Sequence, residues 1–384
     1  MANHNRTRKK EMGPRFDLVG KTLLIRISNV WSAIDERDHW NCMPGINKQE
    51  NYERVDVHNI VVMWNVFEAC VSEAGSFIWF QEELYRQFPS LVDIPCNYVL
   101  NKGTDITNYS EVELPDTLHY IETFEISTKL IYDLWPSWHH NVPWQPFTKQ
   151  ILYTPGKLRP FRYLAIKNLL HYFPDNVTYV MNRNLAGEGM PVDPNQKQQL
   201  NDWIESTRTM INEYGPRTIN FENEVYPFML KYESDLVDSV QLNINNYTQL
   251  IGYRLAETTS ISALVETCPG SNFFTEKTYA CIVAGRPFIH YSEEHGTDYL
   301  EKLGYKLFYN QQDRDYVHMN KWLEKFLISP DVDTIQETIQ HNLNTLDNNV
   351  AEHHKTMSAL MPEWPTLSEQ SQIDILTTFL KINA

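Results

Sequence analysis

A chain of 384 residues with a 42% hydrophobic and 12% aromatic share, ten tryptophans included, carries enough apolar material for two cores and excludes disorder over most of its length. A formal net charge of −16 disfavours a broad non-specific nucleic-acid surface, since phosphate contacts come from Lys and Arg and an acidic body repels a polyanion. The five cysteines are scattered and lack a CxxC pair, which fits reduced thiols. No stretch reaches the roughly eighteen uncharged apolar residues that cross a bilayer, so a soluble, cytoplasmic protein with no membrane partner is expected.

Taken in chain order, residues 1–15 are a basic tail, and KTLLIRI at 21–27 is a β-rich run suited to a strand. Residues 41–51 carry Pro44 and Gly45 and read as a loop. NIVVMW at 59–64 predicts a buried strand, with a helix following from Val66 and a break at Gly75. FIWFQEELYRQF at 77–88 places apolar residues on one helical face. Residues 97–144 mix aromatics, Pro and single polar residues, and read as irregular structure plus a connection.

The signal sharpens from residue 150. QILYT at 150–154 predicts a strand, PGKLRP a turn, residues 161–173 an amphipathic helix and VTYVMN at 177–182 a second strand. That is a β-α-β unit, the building block of a parallel sheet. A loop at 186–196 and a helix at 198–214 follow. A second unit runs through ISALVET (261–267), the loop CPGSNFF, the helix TEKTYACIVAG and the strand RPFIHYS. Here Thr275 suits an N-cap, Glu276 the first turn and Gly285 the C-terminal stop. A helix at 298–303, a strand at 305–309 and polar-faced helices from 315 onward, ending in 373–382, complete the pattern.

Ligands of open parallel sheets lie at the carboxyl ends of strands, where helix N-termini present unpaired N–H groups. At that end of the second unit Lys277 is suited to neutralise a diphosphate and Glu276 to accept ribose hydroxyls. The plainer alternative is that Thr275 and Glu276 only cap the helix and Lys277 is solvated. In the first unit Lys149, Lys157, Arg159, Arg162 and Lys167 occur with no Asp or Glu before Asp175. In so acidic a chain this suggests a phosphate-binding turn, with Arg159 or Arg162 as the bidentate donor, against the alternative of a solvated helix face.

The string VETCPGSNFFTEKTYACIVAGRPFI resembles the donor-binding segment of α-1,3-fucosyltransferases. It is also similar to glycosyltransferase-like proteins of bacteriophages and bacteria that carry a TEKT...GxPFI motif followed by a helix and a strand, here YLEKLGYKLF. ILYTPGKLRPFRYLAIKNLL resembles the strand, Arg-bearing turn and helix that open the second domain of that group. The resemblance implies that Glu276 and Lys277 contact donor ribose and diphosphate and that Arg159 or Arg162 contacts phosphate. It also implies that Glu266 matches the Glu ahead of the loop. Cys281 stands where the group carries Pro or a similar residue.

The expected fold is α/β, with two Rossmann-like lobes in a GT-B-like arrangement, a cleft between them and C-terminal helices. The expected divisions are a tail at 1–15, an acceptor-side lobe at 16–148, a nucleotide-sugar lobe at 149–330 and helices packing back at 331–384. The expected activity is metal-independent transfer of a sugar from a nucleoside-diphosphate sugar to an acceptor hydroxyl, with no cofactor. The acceptor is a modified DNA base, a protein or a glycan; a phage-encoded enzyme acting on hydroxymethylated bases is one version. The alternative is a non-catalytic, virion-associated binding protein that keeps the fold. The catalytic base is expected in the first lobe, with Glu68 ahead of Glu73, Glu82 and Glu83. Two D-x-D strings, at 313–315 and 331–333, lie too late in the chain for a nucleotide-binding metal signature, and no metal ligand is assigned.

Overall fold

The computed structural model describes residues 15–27, 57–64, 80–82, 84–86, 88–94, 96–101, 117–134, 143–146, 150–156, 160–181, 218–219, 259–266, 274–292, 297–309 and 315–377. The chain divides into two compact units, Met1–Leu134 with Asn348–Ala384, and Trp135–Asp347.

The first unit holds a five-stranded sheet of order β1-β2-β3-β4-β5: β1 (Arg15–Val19), β2 (Thr22–Ile27), β3 (Asn59–Trp64), β4 (Cys96–Asn101) and β5 (Leu118–Ile121). β1 and β2 form an antiparallel hairpin, and β2 through β5 run parallel. Leu23, Leu24, Ile25, Ile60, Val61, Val62, Met63, Tyr98, Val99 and Leu100 are all buried. Such continuous apolar runs are what a parallel sheet covered on both faces requires.

The stretch read as irregular at 97–144 contains β4, β5 and the helix α1 (Thr123–Leu134). The strand β4 carries a weak sequence signal because asparagines stand in CNYVLN among its apolar residues. Asn97 is accommodated by donating to Asn59 Oδ1 at 3.0 Å and to the Ile60 carbonyl at 3.4 Å. The helix α1, TFEISTKLIYDL, is rich in β-branched residues with modest helix propensity, and burial decides its structure instead. Strand β1 likewise begins ahead of the expected start at residue 21.

The second unit carries β6 (Ile151–Gly156), α2 (Pro160–Tyr172), β7 (Val177–Met181), β8 (Thr218–Ile219), β9 (Ile261–Leu264), α3 (Glu276–Val283), β10 (Phe288–His290), α4 (Asp298–Lys302) and α5 (Tyr316–Ile328). Its sheet has the order β10-β9-β6-β7-β8 with every pairing parallel. The first strand of the unit is therefore central, and the chain winds outward first through β7 and β8 and then through β9 and β10. That is the doubly wound, Rossmann-like order, and its switch point lies between β6 and β9. A core of Ile151, Tyr153, Ile166, Leu169, Leu170, Ile261, Ala263, Ile289, Tyr291, Leu323 and their neighbours joins sheet to helices.

The strand expected at 305–309 does not form. The side chain of Asn342 instead accepts from the Lys306 N–H at 2.8 Å and donates to the Lys306 carbonyl at 2.9 Å, supplying the bonds a partner strand would give. Asn342 lies on α6 (Val332–Leu360), which counts with the second unit through Asp347 and with the first from Asn348; α7 (Glu369–Thr377) follows. No helix among the described residues is long and apolar enough to cross a membrane. Two α/β units built on parallel strands, the second in Rossmann-like order, are consistent with a GT-B-like fold.

Candidate functional site

The switch point gathers the carboxyl ends of β6, β9 and β10 in the second unit. Register fixes this: Tyr153 pairs with Ala263, and Leu264 pairs with His290. From β6 the chain enters α2, which opens on Pro160, a residue pre-set for the first helical position. From β9 it passes Val265 and Glu266 and reaches α3, whose N-cap is Thr275 with extended φ/ψ of −106° and −176°. The Thr275 hydroxyl accepts the Lys277 N–H at 3.4 Å, as an N-cap side chain should.

The far end of α3 closes equally well. Gly285 has φ of 60°, its N–H donates to the Ile282 carbonyl at 3.0 Å, and the Arg286 N–H donates to the Cys281 carbonyl at 2.9 Å. That pair of bonds is a Schellman motif, which places the left-handed residue at a glycine. The helix is thus fixed at both ends, so its first turn has a defined position.

Behind that first turn lies a buried polar cluster. Glu266 Oε1 accepts the Thr275 N–H at 3.2 Å and the Thr278 hydroxyl at 2.5 Å, while Oε2 accepts the Thr275 hydroxyl at 2.6 Å. Thr278 Oγ1 also lies 2.9 Å from His290 Nε2. In front, the Lys277 ammonium donates to Glu276 Oε1 at 2.9 Å and to Thr275 Oγ1 at 3.2 Å. The Lys277 and Glu276 side chains keep 17% and 24% of their exposure, whereas Glu266, Thr275, Thr278 and His290 are buried. Of these six side chains, Glu276 and Lys277 are the two that keep solvent exposure.

Burial alone would disfavour the charged form of Glu276. The Lys277 charge and hydrogen bond, the Glu276 backbone N–H and the Arg162 guanidinium outweigh it and hold the carboxyl below its usual range. Arg162, buried in the first turn of α2, is therefore felt electrostatically at the start of α3. Its backbone carbonyl is anchored by the Tyr153 hydroxyl at 2.7 Å, tying α2 to the central strand. Deeper still, burial pushes the Cys281 thiol up to about 12; a hydrogen bond from Ser262 works against this and Glu266 adds to it.

Of the residues singled out from sequence, Arg162, Glu266, Thr275, Glu276 and Lys277 meet at this one switch point. Arg159 and Glu68 lie outside the described residues. Glu266 turns inward, with both oxygens engaged by threonines of α3 rather than presented to a ligand. Thr278 and His290 were not foreseen as members of the site. The available signal was spacing: Thr278 follows Thr275 by three residues and so shares its face, and His290 ends the strand beside β9. Asp315 and Asp331, from the two D-x-D strings, accept the backbone N–H groups of His318 at 2.9 Å and Thr334 at 3.2 Å at helix starts.

No family model matches this chain, and no curated protein sequence matches it. Among solved structures it is similar to Anabaena Alr3699/HepE in complex with UDP and glucose, at 11% identity and a TM-score of 0.46, covering 88% of this chain and 78% of that one. It is also similar to Anabaena Alr3699/HepE in complex with UDP-glucose, at 12% identity and a TM-score of 0.43, covering 87% and 78%.

Proposed function

We propose that this chain is a glycosyltransferase that takes a nucleoside-diphosphate sugar at the switch point of its second sheet and passes the sugar to an acceptor hydroxyl. One observation carries the reading: Lys277, Glu276 and the field of Arg162 converge on the N-terminus of α3, where a doubly wound sheet binds nucleotides. The Lys277 ammonium is the cation offered to a diphosphate, beside the positive end of the α3 dipole, and the Glu276 carboxylate is an acceptor for ribose hydroxyls.

In the reaction the acceptor oxygen forms a bond to the anomeric carbon while the bond from that carbon to the β-phosphate oxygen breaks. The diphosphate leaves with the electron pair, and the acceptor's proton passes to a base, for which Glu68 is our candidate. Negative charge grows on the leaving diphosphate, so fixed cationic groups there lower the barrier without reorganising. Lys277 and Arg162 do the work a divalent cation does elsewhere, which supports a metal-independent mechanism. For the acceptor we favour a hydroxyl on a macromolecule, with a hydroxymethylated DNA base as the first version to test. The basic residues between Lys149 and Lys167 other than the buried Arg162 support that version, since DNA needs a local cationic surface on an acidic body.

Isothermal titration against UDP-, GDP- and ADP-sugars is the first test, with mass spectrometry of hydroxymethylated DNA, protein and glycan acceptors as the second. Donor-specific heat, a one-sugar mass gain in an acceptor and turnover that survives EDTA are expected. Lys277→Ala should weaken diphosphate binding by about tenfold or more, and unchanged affinity sinks the site. The alternative, a non-catalytic binding protein that keeps the fold, should show no donor-specific heat.

A further inference from the structure

We propose that Thr278, Glu266 and His290 are positioning residues for the donor site, linked in a hydrogen-bond chain that converges on Glu266 and sets where Glu276 and Lys277 stand. The inference rests on the donor-site reading above and goes beyond it in saying what holds that site in place.

The direction of each bond follows from counting hydrogens. A carboxylate only accepts, so the single hydroxyl hydrogens of Thr275 and Thr278 both go to Glu266, at 2.6 and 2.5 Å. The Thr278 oxygen must then accept from His290, which places a hydrogen on Nε2 at 2.9 Å. By the same logic the Thr275 oxygen accepts, from the Lys277 backbone N–H at 3.4 Å and from its ammonium at 3.2 Å. The path runs from His290 to Thr278, to Glu266, to Thr275 and so to Lys277, which finally donates to Glu276 at 2.9 Å. It joins β10, the end of β9 and the first turn of α3 through side chains alone.

A helix start needs far less than this. Thr275 alone caps α3, and an apolar filling between helix and sheet avoids the desolvation cost of a buried carboxylate and imidazole. Phe274 and Phe288 already flank the His290 ring, with centroids 5.1 and 5.5 Å away, so apolar packing is at hand. What the polar chain adds is angular definition, because each bond tolerates little misalignment. A charged pair that must meet a diphosphate within a fraction of an ångström uses that definition.

The test compares Thr278→Val, which keeps shape and removes the hydroxyl, with Thr278→Ser, which restores it. Affinities for UDP, GDP and ADP are measured against UMP, GMP and AMP by calorimetry, beside the thermal midpoint of each variant. For the diphosphate that the wild type binds, Thr278→Val should weaken binding about tenfold and shrink the diphosphate-to-monophosphate preference, with Thr278→Ser within about threefold of wild type. A lower midpoint with wild-type affinity and preference means the chain is only structural, and overturns the proposal. Should Thr278→Val not fold, His290→Gln, which keeps a donor near Nε2, against His290→Phe gives the same comparison with the same deciding outcomes. A wild type that binds none of the three diphosphates overturns the donor-site reading and this proposal together; binding that survives Thr278→Val overturns this proposal alone.

Discussion

Glu363 is packed against Gly20 so closely that a Cβ added to the glycine would lie 2.5 Å from Glu363 Oε1. The same oxygen accepts the Lys21 N–H at 2.8 Å, and Oε2 accepts the Thr22 hydroxyl at 2.8 Å, so the carboxylate closes the β1–β2 turn. Gly20 also has φ of 57°, where an L-residue costs about 1–2 kcal/mol. The Glu363 side chain can swing away from a methyl group only by giving up both bonds. Gly20→Ala is therefore expected to lose about 2 kcal/mol or more in urea unfolding. Burial opposes ionisation of Glu363, but the Lys21 and Thr22 bonds hold its carboxyl below the ordinary value. Its contribution is thus complete above the unfolded pKa of about 4.3 and fades as pH falls through the lower folded value. Glu363→Gln should flatten that acid limb; an unchanged limb refutes the assignment.

A second carboxylate in the first unit is fully buried. Glu125 Oε1 accepts from Asn349 Nδ2 at 2.9 Å, and Oε2 lies 2.8 Å from His353 Nε2, binding α1 to the later part of α6. His353→Leu keeps the packing but leaves Glu125 short of a partner, and should cost about 3 kcal/mol by denaturant unfolding. The double variant Glu125→Leu/His353→Leu removes the stranded group and should recover part of the loss. A double variant no more stable than His353→Leu alone would show that the stranded carboxylate is not the source of the loss.

These two carboxylates show where the sequence stops being legible. The helix α3 was readable because its signals are local: Thr275, Glu276 and Gly285 obey capping rules within eleven residues, and the flanking strands are short apolar runs. Glu266 was marked by the family resemblance alone, and its inward turn depends on Thr278 of α3, which His290 of β10 meets in turn. Glu125 and Glu363 meet partners 228 and 342 residues away, and no periodicity reports such pairings. The strand at 305–309 failed for the same reason, since Asn342 on a distant helix completes the Lys306 backbone. Local propensity marks element starts and stops, whereas the partners of buried polar groups are decided by topology.

Two buried thiols give a simple check on packing. Burial raises Cys96 to about 11, against hydrogen bonds from Tyr85 and Tyr98 that lower it, and raises Cys281 to about 12. Because the thiolate is the reactive form, both should resist iodoacetamide at neutral pH in the folded protein and react once it is unfolded. Peptide mapping after a short exposure separates them from the other cysteines. Native labelling of Cys281 at the rate of a free thiol would show that the region behind Glu266 is open.

The Glu276–Lys277 pair allows the ribose and diphosphate roles to be separated. Glu276 is held below the usual carboxylate range, so it stays ionised at neutral pH and competes with a diphosphate for the Lys277 ammonium. Removing its charge by Glu276→Gln has two opposite effects. The lysine is released, so inorganic pyrophosphate should bind as well as to wild type or better. The strong acceptor for ribose hydroxyls is weakened, so the nucleoside diphosphate should lose about five- to tenfold in affinity. If Glu276 only caps α3, both ligands should weaken together as the helix start loosens. Between about pH 6 and 8 Glu276 does not titrate, so for each ligand the gap between wild type and Glu276→Gln, in which the ligand's own ionisation cancels, should be flat there. It should narrow in acid, where protonation of the wild-type carboxyl produces the same neutral side chain as the substitution.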